Sequence, residues 1–395
     1  HERSRHVGGR MSTKPLDMEE ASTMSERNLA PFASRNEFVL EVTNFSVDYG
    51  VGENMVRAVN DVTLSLSRSK VLGIAGESGS GKSTLVYAMT RLLRAPGVIS
   101  GGDVVLNITS DNDEGRDASV NLVTASEKEL RKIRWSHVSI VLQSALSALN
   151  PVLRIGREFD EVLKTHRSKM TKSERHDRAV ELMKMVGLNE DRLVRFPHEL
   201  SGGQRQRVMI AIALALDPEL VIMDEPTTAL DVVTQREIIN ELNELRARFG
   251  FAMIFITHDL SLLVELADEI VVMYAGAIVE RAGASDLYES PRHPYTLGLL
   301  NSFPPLHGER TELVGIPGSP PDLADLPAGC SFAPRCPYVM QRCRHEAPPL
   351  LSLNGSDRSV ACWLHAGDTH TSVPVELSRR APRPVSGVTA LKDRP

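Results

Sequence analysis

The chain predicts an α/β fold organised around a phosphate-binding loop, followed by a small irregular extension. Three observations carry this. The stretch Gly76-Glu77-Ser78-Gly79-Ser80-Gly81-Lys82-Ser83-Thr84 lies between an apolar run, Val71–Ala75, and a second apolar segment, Leu85–Met89. Strand, glycine loop and helix in that order are the setting in which a G-x-x-x-x-G-K-S pattern holds phosphates. Three other short apolar runs end on polar groups: Val138–Leu142 before Gln143, Leu220–Met223 before Asp224-Glu225, and Ala252–Ile256 before Thr257-His258. Doubly wound sheets bind ligands at such strand ends. Past Ser290 proline becomes frequent and regular periodicity fades.

In chain order, residues 1–36 are polar and mixed in charge. They lack the apolar core of a signal peptide and are expected to be disordered; the ten residues before Met11 are set aside. Phe38–Val42, Phe45–Tyr49, Val56–Val59 and Val62–Leu66 alternate as strands do and predict an antiparallel sheet ahead of the loop. Tyr49, in this sheet, is either strand filler or a platform for a purine ring. Gly97 to Gly102 predicts a turn, Asp103–Leu106 a strand, and residues 109–120 a polar loop. Residues 156–196 are helical by periodicity, and Ser201-Gly202-Gly203-Gln204 opens a helix over Arg205–Leu216. A helix over 234–248, a helix over 260–267 and a strand pair, Ile270–Tyr274 and Ala277–Glu280, complete an α/β domain over 37–290. An extension over 291–365 and a flexible tail over 366–395 follow.

Composition narrows the function. With 395 residues there is room for two or three domains. A chain 42% hydrophobic and 24% charged is ordinary for a soluble protein. The net charge of −6 argues against a general nucleic-acid binder. No apolar run approaches the ~18 residues that a membrane span requires. A cytoplasmic location is expected.

The loop's chemistry is direct. Glycines let the backbone amides of Gly76, Ser78, Gly79 and Gly81 turn toward a phosphate chain, and the helix beginning near Lys82 adds the positive end of its dipole. Lys82 reaches the β- and γ-phosphates, Ser83 is placed to ligate Mg²⁺, and Thr84 completes the loop. Asp224 suits the same Mg²⁺, Glu225 can polarise a water, and His258 can hold the γ-phosphate. Alone, His258 is better explained as an ordinary histidine; three polar strand ends together favour a site. Gln143 fits as a water or Mg²⁺ contact. Leu200–Gln204 supplies a second anion cradle, which one nucleotide does not need but a dimer does.

Taken together, Tyr49, Gly76–Thr84, Gln143, Leu200–Gln204, Asp224-Glu225, Ala229-Leu230-Asp231 and His258 resemble the nucleotide-binding subunits of ABC transporters, over residues 38–290. The resemblance implies a P-loop NTPase: a RecA-like core, an antiparallel β subdomain and an α-helical subdomain near 144–200. It implies a head-to-tail dimer, with Ser201, Gly202, Gly203, Gln204 and Asp231 facing the partner's ATP and Glu225 as general base. Ala148-Leu149-Asn150-Pro151, Ile155-Gly156 and His293-Pro294-Tyr295-Thr296 resemble the oligopeptide/dipeptide permease branch. From that branch the chain departs at Ser144–Ser147. The resemblance implies a paralogous second ATP-binding subunit, two transmembrane permease subunits and an extracytoplasmic binding protein, with the chain peripheral on the cytoplasmic membrane face. Peptides are the expected cargo and oligosaccharides the alternative. A soluble ABC ATPase in repair or translation would carry fused domains or coiled coils, and neither is present.

All four cysteines fall late, as Cys330-x5-Cys336-x6-Cys343-x18-Cys362. Disulfides are disfavoured in a cytosolic ATPase. Four thiolates suit a metal, although the spacing lacks the tight pairs of structural zinc sites. The family resemblance favours a [4Fe–4S] cluster, with zinc or free thiols as alternatives. A chain that handles iron–sulfur clusters as cargo is the remaining competitor.

Overall fold

The computed structural model describes residues 37–50, 52, 55–109, 118–142, 148–228, 230–302, 315–353, 357–367, 373, 374 and 377. The N-terminal segment, Gln143 to Ser147, Ala229 and most of the tail lie outside these.

Two sheets form the frame. The first holds β1 (Phe38–Tyr49), β2 (Val56–Ser67), the later long strand β4 (Gly97–Ile108) and the short β5 (Ala118–Asn121), in the antiparallel order β2-β1-β4-β5. β1 and β2 are each one strand where the alternation suggests two. Asn44 and Asp61, both at positive φ, interrupt the ladder, and the Asn44 side-chain Nδ2 donates to Asp61 Oδ1 at 2.8 Å. After β3 (Val71–Ala75) and α1 (Lys82–Met89), β4 runs unbroken from Gly97 to Ile108. The turn expected at Gly97–Gly102 is instead an irregularity within the strand. Gly102 has φ 85°, and a Cβ there would lie 2.5 Å from the carbonyls of Thr43 and Asn44. Glycine thus lets a bulged strand continue. β5 (Ala118–Asn121) completes the sheet.

α2 (Glu127–Ile133) starts in a capping box, in which Ser126 accepts from the Glu129 amide and Glu129 accepts in return. β6 (Val138–Val141) follows, then the helical segment α3 (Ile155–His166) and α4 (Lys172–Met185). α5 (Gly202–Ala213), β7 (Leu220–Asp224), α6 (Val232–Phe249), β8 (Ala252–Ile256), α7 (Leu260–Leu266), β9 (Glu269–Tyr274) and β10 (Ala277–Gly283) build the main sheet and its covering layer. β6, β7, β8, β3 and β9 are parallel neighbours in that order. β3, β7 and β8 are buried along their whole length, as parallel strands covered on both faces must be. Hydrophobic cores lie on either side of this sheet, one shared with the antiparallel sheet and one with the helices.

The proline-rich extension is stitched to this sheet. After α8 (Ala284–Glu289) and α9 (Pro294–Asn301) come α10 (Gln341–His345), β11 (Leu351–Ser352) and β12 (Ser359–Val360). β12 pairs with β10, Val360 opposite Glu280. The buried Glu280 carboxylate accepts from the amides of Arg292 and His293 at 2.7 and 2.8 Å, fixing the start of α9. Leu377, in the stretch expected to be tail, is buried against Val360, Cys362 and Leu364.

Candidate functional site

Three strand ends, β3, β8 and β7, lie side by side and bring their polar residues to one edge. After β3 the loop turns through Gly76, Gly79 and Gly81, all at positive φ. A Cβ on Gly76 would lie 2.4 Å from the Met273 carbonyl, and one on Gly81 2.5 Å from that of Ala58. Only glycine fits there. At Gly79 a Cβ would meet nothing within 4 Å, so space opens beside the loop. No side chain caps α1. Its first-turn amides therefore keep their capacity for an anion.

Lys82 is buried, and its Nζ donates to the carbonyls of Gly76 and Glu77 at 2.8 Å each and to Ser80 Oγ at 3.4 Å. Burial lowers its pKa, opposed by the charges of Glu225, Asp224 and Glu77. Ser83 Oγ donates to Asp224 Oδ1 at 3.0 Å. Asp224 is fully buried and its pKa is raised by desolvation; among the described residues its Oδ2 has no hydrogen-bond donor in good geometry. A bare buried carboxylate oxygen is costly. Beside a serine hydroxyl it forms a hard-oxygen donor pair that fits Mg²⁺. Tyr87, one turn on in α1, has its phenol pushed to about 12 by burial and by the Asp224 charge.

Glu225 has φ 46°, a conformation uncommon for a side-chain-bearing residue. Its amide donates to the Ile256 carbonyl at 2.9 Å, tying the end of β7 to that of β8. Its carboxylate accepts from Thr228 Oγ1 at 3.1 Å and lies 3.6 Å from Nδ1 of His258, whose ring is half-exposed. Lys82, Ser83, Asp224, Glu225 and His258 thus converge. Tyr49 ends β1, partly buried against the core. Gln143 falls outside the described residues.

The second cradle is separate. Ser201 Oγ accepts from the Gln204 amide, and Gln204 Oε1 accepts from the Ser201 amide, both at 3.2 Å. This box starts α5 at Gly202, three residues before the expected Arg205. Its close packing needs Gly203, where a Cβ would lie 2.6 Å from Thr234 Cγ2. Asp231 caps α6, accepting from the amides of Val233 and Thr234 at 3.1 and 3.0 Å and from Thr234 Oγ1 at 2.7 Å. Those bonds, the Thr234 amide foremost, lower its pKa. Among the described residues, no hydrogen bond joins Leu200–Gln204 to Gly76–Thr84.

Sequence reasoning misses one group around the loop. The Glu77 carboxylate accepts both arms of Arg335, at 2.6 and 3.0 Å, and the Glu77 amide donates to the Tyr295 hydroxyl at 2.7 Å. Tyr295 sits in the His-Pro-Tyr-Thr motif, whose His293 caps α9 by accepting from the Tyr295 amide at 3.0 Å. Nothing local in sequence marks Arg335, since 258 residues separate it from Glu77.

Residues 59–228 match the family described as ABC transporter, and residues 279–343 match the C-terminal region of oligopeptide/dipeptide transporters. The oligopeptide transport ATP-binding protein OppD of Salmonella typhimurium is 43% identical over 327 residues, which are 82% of this chain and 93% of that protein. The chain belongs to the ATP-binding subunits of oligopeptide and dipeptide ABC transporters. The dipeptide transport ATP-binding protein DppD of Caldanaerobacter subterraneus is 40% identical over 328 residues, 83% of this chain and 97% of the relative. Among solved structures, the ATP-binding cassette MJ0796 in a dimeric post-hydrolysis state with ADP and Pi is 30% identical, with a TM-score of 0.53. The likeness covers 62% of this chain and 98% of that one. This ABC subunit is therefore a P-loop ATPase that uses ATP and Mg²⁺.

The expectation of a [4Fe–4S] cluster or zinc on Cys330, Cys336, Cys343 and Cys362 is overturned. None of the four is in a disulfide, and among the described residues no group of three or more His, Cys, Asp or Glu is disposed to hold a metal ion. The thiols line one apolar pocket with Phe332, Trp363 and Leu364, and its free volume is about 10 Å³. Burial favours the neutral thiol. It pushes Cys336 up to about 11 and Cys362 up to about 12, and raises Cys330 as well. Closeness in sequence reflects shared packing here, not a ligand set.

Proposed function

We propose that this ABC subunit powers peptide import from the cytoplasmic face of the membrane, bound to two membrane-spanning permease subunits and paired with a second ATP-binding subunit, a paralogue. An extracytoplasmic binding protein delivers the peptide. The observation that carries the reading is the convergence of Lys82, Ser83, Asp224, Glu225 and His258 at adjacent strand ends, in a chain whose extension bears the His293-Pro294-Tyr295-Thr296 motif. No described helix is long and apolar enough to cross a membrane; in this reading the permease subunits supply the translocation path.

In this reading the amides of Gly76–Thr84 and Lys82 hold the triphosphate. Ser83 and Asp224 would hold Mg²⁺, and Gln143 is the residue proposed to contact the same ion or the attacking water. Mg²⁺ supplies neutralisation of charge on the β- and γ-phosphates. The Glu225 carboxylate takes a proton from water as that water bonds to the γ-phosphorus, and the bridging oxygen leaves with ADP. His258 orients Glu225 and the γ-phosphate. Tyr49 stacks on the purine. Ser201, Gly202, Gly203, Gln204 and Asp231 face the partner's nucleotide. The Ser201 hydroxyl accepts within its cap, which leaves its proton to donate to a phosphate.

Purification from membranes tests the assignment. The chain should co-isolate with two polytopic subunits, and peptide-loaded binding protein should stimulate ATP hydrolysis in vesicles. A stand-alone soluble ATPase, indifferent to peptide, would refute it.

A further inference from the structure

A carboxylate inside a phosphate-binding loop is a liability, because it repels a triphosphate at short range. Glu77 is that carboxylate, and the extension takes hold of it at two points. Arg335 grips both its oxygens, and Tyr295 receives its amide proton. Its carbonyl accepts from Lys82. Glu77 thus links the extension to the lysine expected to meet the phosphates.

Arg335 is itself built in. Its side chain is 5% exposed. Nε donates to the Pro317 carbonyl at 2.8 Å, and Nη1 also reaches the Tyr274 hydroxyl at 3.4 Å. The guanidinium lies 5.9 Å from the ring centres of both Tyr274 and Phe332. Tyr274, Phe332 and Tyr295 pack on one another with centroids 4.6 to 5.4 Å apart. A planar fork fixed this way matches a carboxylate bidentately, which a flexible lysine does not.

We infer that Arg335 and Tyr295 are positioning residues for ATP binding: the extension neutralises Glu77 and turns it outward, so that Lys82 and the loop amides face the triphosphate. This rests on the reading of Gly76–Thr84 as the ATP site. In its absence the Glu77 charge stands unpaired beside the phosphates and the loop loses an anchor.

A double-mutant cycle on the full-length chain, titrated with Mg–ATP by calorimetry, separates this role from simple fold support. Wild type should bind, and Lys82→Ala should not; failure at that step overturns the ATP-site reading rather than the role of Arg335. Arg335→Met should weaken binding about tenfold. In a Glu77→Gln background the same change should cost less than about twofold, because no carboxylate remains to neutralise. Equal losses in both backgrounds overturn the neutralising role. Tyr295→Phe keeps the ring packing and removes only the acceptor for the Glu77 amide. It should weaken binding about threefold with the near-ultraviolet circular dichroism unchanged; unaltered affinity overturns the positioning role, and this variant decides the matter should Arg335→Met fail to fold.

Discussion

The two anion cradles of this ABC subunit are built on opposite plans. The loop at Gly76–Thr84 is held from outside: backbone at Ala58 and Met273 closes on its glycines, and Tyr295 and Arg335 grip Glu77. The cradle at Ser201–Gln204 closes on itself through a four-residue box at an accessible helix start. The first is held by contacts drawn from far apart in the sequence, from Ala58 to Arg335. The second needs only a capped helix, which suits a surface offered to another subunit.

The largest effect should come from the side where the proposed base, Glu225, sits. Glu225→Gln removes the carboxylate beside His258 and leaves Lys82, Ser83 and Asp224 in place. Turnover in the assembled transporter, followed by phosphate release, should fall by about a hundredfold or more, while ATP titration of the isolated chain stays close to wild type. Hydrolysis near the wild-type rate would move the base to another residue.

A smaller effect, on the other cradle, sharpens the contrast. Ser201→Ala removes the cap of α5 and should cost about 1 kcal/mol of stability. The isolated chain should bind ATP as before, whereas hydrolysis by the assembled pair should drop. If the isolated chain loses affinity in step, both cradles serve one nucleotide and the division between subunits fails.

The same contrast explains what the sequence makes legible. β3, β7 and β8 are continuous apolar runs that end on polar residues, so the strand ends that bring Lys82, Asp224, Glu225 and His258 together can be read from pattern alone. The Ser201–Gln204 cradle is local and equally readable. Long-range pairing is not. Gly101-Gly102 looks like a turn until Thr43 and Asn44 are known to lie opposite. α2 carries its Ser126–Glu129 box in plain sequence, yet a polar neighbourhood hides it. Arg335 is invisible as a partner of Glu77 because only the folded chain brings them together. The cysteines misled for a related reason: four thiols near one another in sequence can share a pocket without the geometry of a metal site.

The last effect concerns pH, is read in stability rather than in turnover, and should touch only the braced cradle. His293 is fully buried, and its Nδ1 accepts from the amide of Tyr295, the residue that anchors Glu77. Burial, reinforced by nearby His365, lowers its pKa from 6.5 to about 3. The unfolded chain therefore binds more protons between those limits, and stability falls as pH drops below 6.5. Between pH 7.5 and 5.5 this group alone should remove about 1.4 kcal/mol. His293→Asn keeps a capping acceptor and removes the titration, so urea unfolding at the two pH values should show a loss smaller by that amount in the variant. Equal losses would detach His293 from the acid response. The Ser201–Gln204 box contains no group that titrates in this range, so acid should loosen the grip on Glu77 before it disturbs the start of α5.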